Sequence, residues 1–379
     1  MPFSCPDWPP KLPEIADRIS ELLKCGDWGR YKTPHQDELR SGLRQLCGGE
    51  FGAAEHVRLC GSGSAAVELA LRGAGIGPGD QVIVAAYDYP GNFRAIESVG
   101  ATPVLVDVAP GKVTINIDQV AALGAAHSVA STKETELSVD SQIRAVVASH
   151  LYGTAAPVAS LRAICDDNNW YLIEDTCQTP GMKIGEHTAG SFGDIATLSF
   201  GGSKPLTSGC GGAVVTNDDR VAAKLRGLLD RPSDSQPLSS LQAATLLPQL
   251  NHLDRLNAQR QATVRYLESE VNSQLGTWQW LSQMQPDVSA THYKVAWSVE
   301  TAEERAAAIS ACTGQQLPIG DGFRSLAGCS ERRCRKPFPL DRSRHLGETV
   351  IVLDHAALLL EKGSYNTLGE SLIAAHRAI

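Results

Sequence analysis

Apolar residues enter this chain in short, dense runs separated by stretches of helical spacing. The runs at 81–87, 103–108, 143–150 and 171–176 are rich in Val, Ile, Leu and Ala, with little alternation of polar and apolar positions. That pattern marks strands buried on both faces. Between them, 64–72, 92–99 and 158–168 carry helical spacing, and 64–72 is opened by a Gly-Ser turn and closed near Gly73 and Gly75. Strand and helix therefore alternate, which predicts an α/β fold with a mostly parallel sheet covered on both sides. Two further strands are expected at 195–200 and 212–216. Near the N-terminus, Ile15, Ile19, Leu22 and Leu23 form one face of a helix that should stop at Gly26. Residues 2–13 are Pro-rich and read as an irregular arm. The Ser-, Thr-, Glu- and Ala-rich stretch 122–142 reads as a surface loop without chemistry. A long helix is expected from 238 to about 271, kinked or divided at Pro248. Beyond residue 278 the pattern becomes α+β. A large domain over 1–250, including the arm, and a smaller C-terminal α+β domain over 251–379 are the expected organisation.

Composition narrows the function classes. The 379-residue chain is 42% hydrophobic and 20% charged, with a formal net charge of −8. An acidic balance argues against a nucleic-acid or anionic-membrane surface. No apolar run approaches the ~20 residues of a membrane helix, and no basic-then-apolar leader opens the chain. Its ten cysteines are scattered through the α/β pattern, so a reduced, cytoplasmic protein is expected. Cys329 and Cys334 have no second pair or histidine at zinc-ligand spacing, and no metal is expected.

Candidate chemistry concentrates between residues 171 and 217. The run 171–173 ends in Glu174-Asp175-Thr176-Cys177-Gln178, and 195–200 ends in Gly201-Gly202-Ser203-Lys204-Pro205. Charges at the ends of apolar strands are costly unless they meet a partner or ligand. Pro205 disfavours helical geometry at Lys204 and leaves it on a tight turn. An aspartate and a lysine so placed are what pyridoxal phosphate (PLP) requires. The amine forms a Schiff base with the aldehyde, and the carboxylate keeps the pyridine nitrogen protonated. Asp175 has an ordinary alternative as a helix cap, and neighbouring Glu174 must point to the other side of its strand. A phosphate would sit at a helix start, where Ser62-Gly63-Ser64-Ala65 provides N–H groups and hydroxyls.

Asp175-Thr176-Cys177-Gln178, Gly190-Ser191-Phe192-Gly193-Asp194, Ser199-Phe200-Gly201-Gly202-Ser203-Lys204 and Gly211-Gly212 stand in an order that resembles the DegT/StrS family. Ser62-Gly63-Ser64, the segment 77–84 and His150-Leu151-Tyr152-Gly153 extend the likeness. Those proteins are PLP-dependent aminotransferases of fold type I, acting mostly on keto-sugars and cyclitols. The resemblance implies roles residue by residue. Lys204 would be the Schiff-base lysine and Asp175 the partner of the pyridine nitrogen. Gln178 would contact the ring face or phenolic oxygen, and Tyr89 would stack on the ring. Gly63, Ser64 and Ser199 would serve the phosphate. A homodimer with shared sites is implied, Ser235 reaching the partner's phosphate, with an amino acid such as Glu or Gln as donor and a keto-sugar or keto-cyclitol as acceptor. The chain departs from the family at Cys210, where Glu is usual, and at Pro237, where an Arg commonly anchors the donor carboxylate. Trp28-Gly29-Arg30 and Val352-Leu353-Asp354-His355 are similar to the cyclitol-aminating and aminohydroxybenzoate-forming branch. A PLP-dependent lyase or dehydratase, or an idle dimer that binds PLP or a sugar, remain alternatives.

Overall fold

The computed structural model describes residues 3–48, 55–131, 142–229 and 236–379. Two helices, α1 (Pro13–Cys25) and α2 (Pro34–Gly48), precede the first strand, β1 (His56–Cys60). There follow α3 (Gly63–Ala74), β2 (Gln81–Ala85), α4 (Pro90–Ser98), β3 (Thr102–Val106), α5 (Ile117–Ser131), β4 (Ile143–Ser149), α6 (Val158–Asn168) and β5 (Tyr171–Asp175). After the two-residue strands β6 (Lys183–Ile184) and β7 (His187–Thr188) come β8 (Ile195–Ser199), β9 (Gly212–Thr216) and α7 (Asp219–Leu229). The strands of the large sheet lie in the order β1-β9-β8-β5-β4-β2-β3. From β3 through β8 the neighbours are parallel, whereas β9 runs antiparallel to both β8 and β1. The sheet is therefore mixed at one side. Val82, Val84, Val147 and Ile173 fill the core under α3 and α4, and Ile83, Val146 and Leu172 fill that on the other face. Burial on both faces explains the unbroken apolar runs.

Helix α8 (Ser240–Tyr266) opens on a capping box, Ser239 with Gln242, and carries residue 250 in its interior. Pro248 lies inside α8 but does not divide it. A second sheet of β10 (Gln279–Trp280), β12 (Lys294–Ser298), β14 (Val350–Asp354) and β13 (Ile319–Asp321) is wholly antiparallel, in the order β10-β12-β14-β13. The small strand β11 (Val288–Ser289) pairs instead with β6. Helices α9 (Ala302–Gly314), α10 (Asp341–Thr349) and α11 (Tyr365–Arg377) complete the chain. Trp297, Ile351, Ala308, Leu368 and Leu372 share the core of this second unit.

Helix α1 ends where its pattern predicts, with Gly26 at φ 78°, a left-handed position that glycine takes without strain. Residues 122–131 depart from the expected loop, because α5 runs to Ser131. Ala is the strongest helix former, and the helix packs beside α6, so a Ser/Ala-rich composition was no evidence for a loop. Residues 132–141 lie outside the described residues, as does Ser235. The N-terminal arm is irregular as expected, yet it is docked: Phe3 is buried in the core of the second unit, and the Trp8 ring lies edge-on to His355 at 4.5 Å. Among the described residues no helix is long and apolar enough to cross a membrane.

Candidate active site

The carboxyl ends of β2, β4, β5 and β8 meet along one edge of the large sheet, where α/β proteins place their ligands. A cleft of about 390 Å³ opens there, within the usual size range for small-ligand sites. Helix α3 supplies one wall. Ser62 is its N-cap, extended at φ −164°, and its Oγ accepts from the Ala65 N–H at 3.1 Å. The N–H groups of a first helical turn have no intrahelical acceptor, and Gly63 and Ser64 line the cleft at that turn. Ser199, from the end of β8, closes against them. A Cβ on Gly63 would stand 2.6 Å from Ser199 Cβ and 2.8 Å from its Oγ, so only glycine lets α3 and β8 meet and put a hydroxyl beside the helix start. The positive helix end and the Ser199 hydroxyl form a cradle suited to a phosphate.

The two charged groups of the cleft face it from different strands. Asp175 ends β5 and is 4% exposed. Its Oδ1 accepts from the Cys177 N–H at 3.0 Å, and its Oδ2 accepts from Asn92 Nδ2 at 2.8 Å and Ser149 Oγ at 3.3 Å. Lys204 follows β8 on a turn closed by its own N–H donating to Gly201 O at 2.9 Å. Lys204 Nζ stands 4.5 Å from the centroid of the Tyr293 ring and 5.8 Å from that of Tyr89. Among the described lining residues it is the one cation. Tyr89 lies at the start of α4, 38% exposed and edge-on to Phe323 at 5.7 Å. Gln178 is buried at the cleft, its Oε1 accepting from the Tyr152 N–H at 2.7 Å. Gly63, Ser64, Tyr89 and Ser199 thus share one space with Asp175, Gln178 and Lys204.

Glu174 turns the other way, as strand alternation requires. Its carboxylate accepts from the N–H groups of Gly190 (2.9 Å), Phe192 (2.7 Å) and Gly193 (2.5 Å) and from His150 Nε2 at 3.1 Å. Because His150 Nδ1 accepts from the Ala156 N–H at 3.1 Å, the ring is neutral with its proton on Nε2. The Gly190–Asp194 motif therefore wraps a buried carboxylate behind β5. Its work is to hold the strand that presents Asp175.

Several site residues carried no usable local signal. Asp88 is 1% exposed, and its Oδ2 accepts from Ser149 Oγ at 2.8 Å. Burial, with Asp175 nearby, pushes its carboxyl up to about 7. Asp88 and Asn92 are four apart across the start of α4, and a polar pair at that spacing in an apolar stretch was the available hint. Tyr293 and Phe323 reach the cleft from the second unit. Tyr293 Oη lies 2.9 Å from Ser203 Oγ, and Phe323 stacks on Tyr152 at 5.5 Å. The lysine turn is also held from behind, since His355 Nε2 lies 2.9 Å from Ser203 O and Arg260 Nη2 lies 3.2 Å from His355 Nδ1. Ser235 falls outside the described residues. Pro237 is exposed, and the neighbouring Gln236 backbone passes close to Gly61 of the same chain. Cys210 is exposed, with Gln242 Nε2 3.1 Å from its sulfur.

A helix-start cradle, a strand-end aspartate and a turn-borne lysine on a mixed seven-stranded sheet define the large unit of a fold type I aminotransferase. Residues 12–326 match the DegT/DnrJ/EryC1/StrS aminotransferase family, and the chain belongs to it. An L-glutamine:2-deoxy-scyllo-inosose aminotransferase of Micromonospora echinospora is 28% identical, the alignment covering 99% of this chain and 96% of that protein. A pleiotropic regulatory protein of Geobacillus stearothermophilus is 35% identical, with 55% of each chain covered. The crystal structure of a 3-amino-5-hydroxybenzoic acid synthase superposes with a TM-score of 0.84 at 22% identity, covering 99% of this chain and 98% of that one. That likeness establishes the fold. The protein is an aminotransferase, and membership of the family implies PLP as its cofactor. The lyase and idle-dimer alternatives gain no support.

Proposed function

We propose that this enzyme moves an amino group from glutamate or glutamine to a keto-sugar or keto-cyclitol, with PLP held in the cleft between α3 and the ends of β5 and β8. The observation that carries this reading is the convergence of Lys204, Asp175 and the Gly63/Ser199 cradle on one cleft of about 390 Å³. When bound there, PLP would supply an electron sink for the carbon that loses and regains its proton. The chain's own residues supply the rest. Lys204 Nζ would hold the cofactor covalently and serve as the proton carrier of the site. The Asp175 carboxylate, whose Oδ2 is held by Asn92 and Ser149, would keep the proton on the pyridine nitrogen. Gly63, Ser64 and Ser199 would hold the phosphate, Tyr89 would cover a ring face, and Gln178 would meet the ring or its oxygen. Tyr89, Phe323 and Tyr293 line the cleft with aromatic surface, which suits a ring-shaped acceptor.

Purified enzyme mixed with glutamine or glutamate should convert the visible cofactor band to the shorter-wavelength, amine-loaded form, and a keto-sugar or keto-cyclitol should reverse it. A protein that takes up no PLP, or a band inert to both donors, would overturn the assignment.

With Lys204 as the one cation among the described lining residues, the donor's carboxylate needs a second positive group. We infer a homodimer in which the partner supplies it, Ser235 of each subunit lying near the other's phosphate. The exposed Trp28 and Tyr31, at 55% and 91%, are aromatic surface of the kind interfaces cover. Sedimentation should give a dimer at micromolar concentration, and a monomer with full activity would refute the shared site.

A further inference from the structure

Behind Asp175 the structure holds a second buried carboxylate that the amino-transfer chemistry leaves unused. Asp88, just past β2, and Asp175, at the end of β5, share one hydroxyl: Ser149 Oγ lies 2.8 Å from Asp88 Oδ2 and 3.3 Å from Asp175 Oδ2. Asn92 spans the same trio, its Nδ2 lying 2.9 Å from Ser149 Oγ, 2.8 Å from Asp175 Oδ2 and 3.5 Å from Asp88 Oδ1. The Asn92 Oδ1 is buried without a partner. The amide is therefore oriented by the carboxylates, since a flip would turn its carbonyl on to them. Ser149 has only one proton to donate, so the two carboxylates compete for it.

We propose that Asp88 is a positioning residue for Asp175, acting through the Ser149 hydroxyl, whose direction the protonation of Asp88 sets. This rests on the reading of Asp175 as the partner of the pyridine nitrogen. With Asp88 protonated, its Oδ2–H donates to Ser149 Oγ, and the Ser149 hydroxyl donates to Asp175 Oδ2. When Asp88 loses its proton to bulk water, the Ser149 hydroxyl turns back to the new carboxylate. Asp175 then loses a donor and gains a negative neighbour, and both changes strengthen its hold on a proton placed beside it. Burial and the charge on Asp175 put the Asp88 transition near neutrality, at about 7. The groups facing Asp88 are Asp175 from β5, Ser149 from β4, Tyr152 beyond it, and Tyr89 and Asn92 from α4, with Tyr87 beside it in the chain. Lys204 is the cation across the cleft. Burial pushes the Tyr152 hydroxyl well above its ordinary value, so it stays neutral throughout, and Tyr87 is likewise raised.

The test separates this relay from the cofactor assignment by using the apoprotein first. Carbon-13 spectra of aspartate-labelled apoprotein should show one carboxyl titrating close to pH 7, missing in Asp88→Asn and moved upward in Ser149→Ala, where the ionised form has lost its donor. Unfolding midpoints carry the same sign. The folded carboxyl binds its proton more tightly than the unfolded one, so this contribution is present at low pH and is lost as pH rises through about 7. Asp88→Asn should remove that slope. In the loaded enzyme, the PLP dissociation constant of Asp88→Asn should match wild type below pH 6 and exceed it by roughly tenfold at pH 8.5, where only wild type carries an ionised carboxylate at position 88 beside the site.

An Asp88 carboxyl ionised already at pH 5, or unmoved by Ser149→Ala, would overturn the relay. So would an Asp88→Asn variant that keeps the wild-type pH profile. If Asp88→Asn does not fold, the Ser149→Ala shift alone decides. Failure of wild type to bind PLP would sink the cofactor reading while leaving the carboxyl titration to stand by itself.

Discussion

Lys204→Ala is expected to abolish turnover, by about 10⁴-fold or more. Proton transfer by a positioned group is commonly worth 10²–10⁴, and the covalent attachment is lost with it. Lys204 is the one amine among the described cleft residues, so no neighbour can take its place. Its side chain packs between the Tyr293 and Tyr89 rings at 4.5 and 5.8 Å and takes no part in the cores, so the variant should fold. Borohydride treatment followed by mass spectrometry should give a PLP-modified peptide containing Lys204 in wild type and none in the variant. PLP should still bind through the phosphate cradle. A modified peptide elsewhere, or turnover within tenfold of wild type, would refute the role.

Asp175→Asn should retain PLP but slow the donor half-reaction by about 10²–10³, the usual loss when a preorganised charge is removed from the place where it is needed. A neutral amide cannot hold a proton on the pyridine nitrogen. Glu174 cannot substitute, because its carboxylate is bound by the Gly190, Phe192 and Gly193 N–H groups behind the strand. The variant also sets an amide among the donors Asn92, Ser149 and the Cys177 N–H. One mismatched buried hydrogen bond should lower the stability of the apoprotein by about 1–3 kcal/mol. Single-turnover mixing with glutamine or glutamate measures the rate, and urea unfolding measures the stability. A half-reaction within threefold of wild type would mean another acid serves the nitrogen.

These effects were foreseeable in unequal measure from the chain alone. Strands buried on both faces leave unbroken apolar runs, so β2, β4 and β5 were legible, and a strand-end Asp175 stood out against them. Helix α3 was legible from its Gly-Ser opening and its glycine close. The turn bearing Lys204 followed from glycines and Pro205. Helix α5 was misread where a Ser/Ala-rich composition suited either helix or loop. Pro248 was expected to kink or divide α8, and the helix is not divided there. The antiparallel entry of β9 was invisible too, because strand direction leaves no mark on a short apolar run.

By itself, then, the sequence determined the α/β class, the family, and which aspartate and lysine to examine, since each depends on residues close together in the chain. Tertiary structure alone decided how they are used. Ser203 meets Tyr293 across 90 positions, and Asn92 meets Asp175 across 83. Only folding brings Asp88 and Asp175 to one hydroxyl in a dry site. There, loss of water and the closeness of a like charge, rather than residue type, set when Asp88 gives up its proton.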